Sequence, residues 1–149
     1  MEAVLLIGIP GAGKSTFYRE RFFSTHLRVS LDMLRTRHRE RLVLRACLES
    51  GQPFVVDNTN VSRAERSVYL GAAREAGFKV TGYYFRSVVA ECLARNEART
   101  GAERIPTDGI LGMAGRMQIP SLTEGFDELS YVRLEEGGRF VVERWKDDF

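Results

Sequence analysis

Eight consecutive residues near the start of the chain have types and spacing suited to holding a phosphate. Gly8-Ile9-Pro10-Gly11-Ala12-Gly13-Lys14-Ser15 fits the pattern G-x-x-x-x-G-K-[ST]. Glycines let such a loop curl until successive backbone N–H groups point at one anion. Lys14 offers a point charge to β- and γ-phosphates, and the Ser15 hydroxyl offers a ligand to Mg²⁺. A helix starting at Lys14 adds its positive end. The apolar run Val4 to Ile7 before it reads as a buried parallel strand, which is the context the motif requires. This predicts a nucleoside triphosphate bound with Mg²⁺.

Other readings of the loop lack their own signatures. No N-K-x-D guanine motif and no L-S-G-G-Q motif is present. A motor or an AAA+ ring subunit normally needs a chain longer than 149 residues. A small phosphotransferase remains.

Such an enzyme needs a base on the acceptor side. Asp32 lies seventeen residues after Ser15, just past an apolar stretch, Leu27 to Leu31. Ligands of open α/β sheets bind beyond the carboxyl ends of the strands, so Asp32 is placed to take the proton of an attacking hydroxyl or simply to cap a helix. Arg35 and Arg39 follow at three and seven residues, on one face of a continuous helix from Asp32 to Ser50. Leu27 to Leu31 reads as a second strand, and a third, Pro53 to Asp57, leads into Asn58-Thr59-Asn60. An apolar strand ending in Asp has the form that orders Mg²⁺ through water, and the polar residues beyond it suit substrate. Asx-type turn chemistry is the plainer alternative. Arg95 and Arg99 are i, i+4 on a further helix capped by Ser87, and Arg104 sits in the loop after it. An arginine there can close over the triphosphate and neutralise charge on the γ-phosphoryl oxygens.

Strands and helices alternate along the chain. Capping-box residues Ser62 and Glu65 open a helix ending at Gly77, Phe78 to Phe85 is a strand, and Asp108 to Met117 is a short helix. Val132–Leu134 and Phe140–Val142 flank Gly137-Gly138, a hairpin signal. The expectation is an α/β fold: a P-loop kinase-like three-layer sandwich with a mostly parallel central sheet, a helical lid and a C-terminal hairpin, as one domain over residues 1–149.

Composition sets the remaining bounds. Hydrophobic residues make up 44% and charged residues 28%, which excludes disordered and repetitive chains. No apolar run approaches the length of a membrane helix. The start of the chain lacks a basic leader region, and Cys47 and Cys92 are too far apart in sequence for a metal motif, so a cytoplasmic protein with reduced cysteines is expected. Residues 1–50 hold nine Lys and Arg against five Asp and Glu, so basic charge gathers where a polyanion could sit.

Four stretches resemble the 5′-hydroxyl polynucleotide kinase family, including the kinase module of the phage-type enzyme. They are Ile7 to Thr16; Val29 to Arg35; Val55 to Asn60 with Arg63 and Arg66; and Arg95-Asn96, Arg99 and Ile105-Pro106. Glu124 to Glu128 resembles the segment before the last strand of related small kinases. The resemblance covers about residues 3–134. It implies Asp32 as general base, Arg35 on the acceptor phosphate, and Lys14 and Arg99 at the γ-phosphate. The resulting ATP site comprises Gly8, Pro10, Gly11, Ala12, Gly13, Lys14, Ser15, Thr16 and Arg95. The acceptor site comprises Asp32, Arg35, Arg39, Asp57, Asn58 and Thr59. Mg²⁺ falls to Ser15, with Asp57 acting through water, and the partner is a 5′-OH oligonucleotide of RNA or DNA. No D-x-D-x-T phosphatase signature is present. A kinase of a small metabolite or nucleoside, and an ATP-binding module without transfer, are the alternatives.

Overall fold

The computed structural model describes residues 1–86, 88–101 and 104–146, so the expected cap at Ser87 lies outside the described residues. Chain order is β1 (Glu2–Ile7), α1 (Lys14–Arg21), β2 (Leu27–Val29), α2 (Leu31–Leu34), α3 (Arg37–Ser50), β3 (Phe54–Asp57), α4 (Arg63–Glu75), β4 (Lys79–Phe85), α5 (Val89–Glu97), α6 (Thr107–Arg116), β5 (Glu128–Leu134) and β6 (Phe140–Arg144). The strands form one sheet in the order β2-β3-β1-β4-β5-β6, parallel throughout except for the antiparallel β5–β6 pair.

Alternation along β1 explains the layering. Ala3, Leu5 and Ile7 pack against Leu44 and Cys47 of α3 and Leu70 and Ala73 of α4. Val4 and Leu6 belong to the opposite core, with Phe17 of α1, Cys92 of α5 and Ile110 of α6. Each face of the sheet therefore carries its own helical layer, as the continuous apolar strands require. Both cysteines are buried and free. Among the described residues, no helix is long and apolar enough to cross a membrane.

One expected element is broken in two. The helix anticipated from Asp32 to Ser50 is interrupted at Arg35, whose φ is +74°. Thr36 then caps a fresh helix, its side chain accepting from the Arg39 amide at 3.1 Å. Asp32 sits in the first turn of the short helix α2 and is not the cap; Ser30 occupies that position. Asp32, Arg35 and Arg39 thus do not share one helical face. The helix after β4 likewise ends at Glu97, so Arg99 lies beyond it and shares no helical face with Arg95.

Candidate active site

The loop Gly8 to Ser15 joins β1 to α1, and Gly11 and Gly13 take φ values of +86° and +101° there, a region closed to most side chains. Its surroundings are close. A Cβ on Gly11 would meet the Cys92 carbonyl oxygen of α5 at 2.6 Å, and one on Gly13 would meet the Phe140 ring of β6 at 3.0 Å. The closing hairpin therefore supports the loop from behind. Arg95 also serves the loop: Nη1 donates to the Gly11 carbonyl, and Nη2 pairs with Glu91 at 3.6 Å. It braces the loop and does not line the cleft in front of it.

Lys14 Nζ donates to the carbonyls of Gly8 and Ile9 at 2.7 and 3.0 Å, drawing the loop into a ring. Burial lowers its pKa to about 8, against the opposing pull of Asp57. A buried ammonium held only by carbonyl dipoles is under-compensated, so an anion in the loop would stabilise its charged form.

β3 is the direct neighbour of β1, with Asp57 opposite Leu6. Asp57 Oδ2 accepts from Ser15 Oγ at 3.0 Å. It also accepts from Arg28 Nε at 2.8 Å, and Arg28 Nη2 donates to Ser15 Oγ at 3.1 Å. Ser15 and Asp57 thus form a pair of hard oxygen donors with a cation already against them. That donor set fits Mg²⁺, which takes few protein ligands and completes its shell with phosphate and water. Arg28 is absent from the sequence reading. The available signal was a charged residue in the middle of a three-residue parallel strand.

The cleft holds about 290 Å³ and brings together Lys14, Ser15, Asp57, Asp32 and Arg99. Asn58 and Thr59 line it too, and the Thr59 carbonyl accepts from the Gly8 amide at 3.1 Å. Asn58 ties β3 to α2 and α3. Its Oδ1 accepts from the Leu31 amide at 2.9 Å, fixing the start of the helix that carries Asp32. Its Nδ2 donates to Glu40 Oε2 at 2.9 Å. Glu40 is buried, and its Oε1 accepts from Tyr69 Oη at 2.7 Å and Arg37 Nη1 at 3.0 Å. Burial and the Glu40 bond push the Tyr69 phenol up to about 12, keeping it a donor.

Arg37 lines the cleft, whereas Arg35 and Arg39 do not. The break at Arg35 rotates α3 so that Arg39 Nη1 donates back to the Leu34 carbonyl at 3.3 Å. Arg104 pairs with Glu97 on the surface and also stays outside. Thr16 is exposed beyond the loop. Beneath the cleft, fully buried Arg66 grips Glu124 through Nε at 2.8 Å and Nη2 at 3.2 Å, and its Nη1 donates to the Asn60 carbonyl at 2.8 Å. This clamp joins the 58–61 turn to the segment preceding β5.

Known proteins share this architecture. The structure superimposes on Kti12 of Chaetomium thermophilum, in complex with ADP-AlF3, with a TM-score of 0.66 and 16% identity over 91% of this chain and 92% of that one. A sugar kinase from Janibacter gives 0.67 and 15% over 89% and 85%. The APS kinase CysC of Mycobacterium tuberculosis, in complex with AMPPNP and APS, gives 0.59 and 16% over 91% and 89%. In sequence, the chain is 26% identical over 137 residues to a bifunctional polynucleotide phosphatase/kinase of Schizosaccharomyces pombe, covering 88% of this chain and 33% of that protein. It is 27% identical over 141 residues to the transcription factor bHLH140 of Arabidopsis thaliana, covering 86% of this chain and 15% of that protein. The chain spans a third or less of the length of these two relatives. The sheet and its helices are those of a P-loop kinase-like fold, and residues 35–120, more than half of the sequence, match the family described as AAA domain, to which this chain belongs.

Proposed function

We propose that residues 1–149 form one kinase domain that transfers the γ-phosphate of ATP to the 5′-hydroxyl of a polynucleotide. The observation that carries this reading is the single cleft containing Lys14, the Ser15–Asp57 pair, Asp32 and Arg99. The loop amides and Lys14 hold the β- and γ-phosphates. Ser15, with Asp57 acting through water, would hold Mg²⁺, which would supply neutralisation of phosphate charge. The Asp32 carboxylate accepts the proton of the acceptor hydroxyl as its oxygen attacks phosphorus. The bond to the β,γ-bridging oxygen breaks, and ADP leaves with that oxygen. Arg99 lines the same cleft and would neutralise charge spreading over the γ-phosphoryl oxygens. Sequence similarity to a polynucleotide phosphatase/kinase supports a polynucleotide as acceptor.

A second reading, a kinase of a small hydroxylated metabolite or nucleoside, is favoured by one observation. Arg35 and Arg39, the residues expected to track a strand, lie outside the cleft. The test is to incubate the protein with γ-labelled ATP, Mg²⁺ and either a 5′-OH oligonucleotide or a panel of nucleosides and sugars. Label on the oligonucleotide alone supports the first reading, and label only on small acceptors supports the second. ATP binding with no labelled acceptor would reduce the protein to a nucleotide-binding module.

A further inference from the structure

Arg28 occupies a position that a metal-dependent kinase would be expected to leave for its metal. Its guanidinium spans the two oxygen donors of the site, with Nε 2.8 Å from Asp57 Oδ2 and Nη2 3.1 Å from Ser15 Oγ. The Asp57 side chain is only 2% exposed and that of Arg28 only 22% exposed, so this is a largely buried ion pair. Lys14 is likewise held by protein groups, the Gly8 and Ile9 carbonyls.

We propose that Arg28 is a built-in counter-cation, held on Ser15 and Asp57 until Mg²⁺ arrives with the nucleotide and displaces it. The inference rests on the Mg²⁺–ATP reading above. Its physical basis is repulsion between two cations drawn to the same pair of residues. The Ser15 hydroxyl gives its own proton to Asp57 while accepting from Arg28, and Asp57 Oδ2 already accepts two bonds. A divalent ion ligated by Ser15 Oγ would stand a few ångströms from the guanidinium on the same oxygen, and two positive groups that close repel. Displacement has somewhere to lead. Arg28 also lines a second cavity of about 660 Å³, with Tyr18, His26, Leu27 and Met33.

Arg28 would thereby neutralise Asp57 in the empty protein and set the metal requirement for nucleotide binding. Without it, the bare carboxylate would repel metal-free triphosphate and welcome the metal complex.

The test is calorimetric titration with a non-hydrolysable ATP analogue, with and without Mg²⁺, on wild type, Arg28→Gln and Arg28→Lys. The readout is the ratio of the two Kd values, and circular dichroism checks folding. The ratio should rise at least about tenfold in Arg28→Gln relative to wild type. In Arg28→Lys, which keeps the charge but cannot span both oxygens, it should fall between. If Arg28→Gln does not fold, Arg28→Lys decides alone, through a raised ratio. A ratio within twofold of wild type would show that Arg28 keeps its seat beside the metal and would overturn the proposal. So would a selective loss of affinity for the Mg²⁺ complex. Failure of wild type to bind nucleotide under either condition would overturn the kinase reading itself, a separable result.

Discussion

Asn96 and Ile105 hold each other across the arm that carries Arg99. Asn96 Nδ2 donates to the Ile105 carbonyl at 2.6 Å, and the Ile105 amide returns a bond to Asn96 Oδ1 at 2.9 Å. Asn96 is fully buried, so this reciprocal pair fixes both ends of the segment containing Arg99. Asn96→Ala leaves two backbone groups of Ile105 without their partner, at a cost of about 1–3 kcal/mol. At this chain length that lowers Tm by roughly 2–4 °C per kcal/mol. The kinetic effect should resemble a milder Arg99→Ala. Arg99→Ala itself should depress kcat and kcat/KM together by roughly 10³, as loss of a transition-state contact does. Thermal melts and steady-state kinetics on both variants check this. An Asn96→Ala protein that melts early yet turns over normally would separate the arm's stability from its chemistry.

Lys14 gives a pH signature. Burial holds its pKa at about 8, below its ordinary value of 10.5. The unfolded chain therefore binds more protons than the folded one between those two values, and stability rises with pH across that window. Below pH 8 the full cost of burying the charge is present, on the order of 3 kcal/mol from the size of the shift. Phosphates in the loop reverse the effect by favouring the ammonium. Nucleotide binding at pH 8 should then be accompanied by uptake of up to about half a proton, fading toward pH 6.5 and absent in Lys14→Met. Calorimetry in buffers of different ionisation enthalpy measures the uptake.

Asp32 is exposed in the first turn of α2 and is positioned through the Asn58–Leu31 bond. Asp32→Asn should leave folding and nucleotide Kd unchanged and cut kcat by at least about 10², the scale of a lost general base. Asn58→Ala, which frees the Leu31 amide, should reduce kcat in the same direction with Asp32 intact. Normal turnover in Asp32→Asn would leave this carboxylate no part in proton transfer.

The legibility of this fold follows the range of the interactions that set it. The phosphate loop, its flanking strand and α1 are written in contiguous residues, because glycine freedom and apolar runs act locally. So is the alternation of strands and helices that gives the parallel sheet. The break at Arg35 was hidden, because arginine is an unusual residue at positive φ and residues 35–41 contain no glycine or proline to mark a stop. Thr36 was the only local mark of the restart, as a threonine cap. Arg28 and Glu40 act on residues 29 and 18 positions away, and nothing in a linear pattern joins them to Asp57 and Asn58.

That break leaves Arg37, and not Arg35 or Arg39, as the arginine of this stretch that lines the cleft. Arg37 lines the cleft, anchored by Nη1 to Glu40 at 3.0 Å and to Tyr69 at 2.9 Å. Its side chain is still 56% exposed, so the guanidinium can meet an acceptor phosphate. Arg39 is exposed and turned back onto the Leu34 carbonyl. If the acceptor is a polynucleotide, Arg37→Ala should raise KM about tenfold for both a 5′-OH oligonucleotide and a 5′-OH nucleoside 3′-monophosphate. The contact serves the first phosphate, which both acceptors carry, and a charged hydrogen bond contributes about 1.5–3 kcal/mol before screening. Arg35→Ala and Arg39→Ala should affect only the oligonucleotide, whose later phosphates run out over the basic surface. Each such contact releases counterions, so KM for the oligonucleotide should climb more steeply with salt than KM for the monophosphate. The measurement is KM for both acceptors across a salt series in wild type and the three variants. Equal slopes, with Arg35→Ala and Arg39→Ala silent, would confine recognition to the cleft and make the acceptor a small molecule.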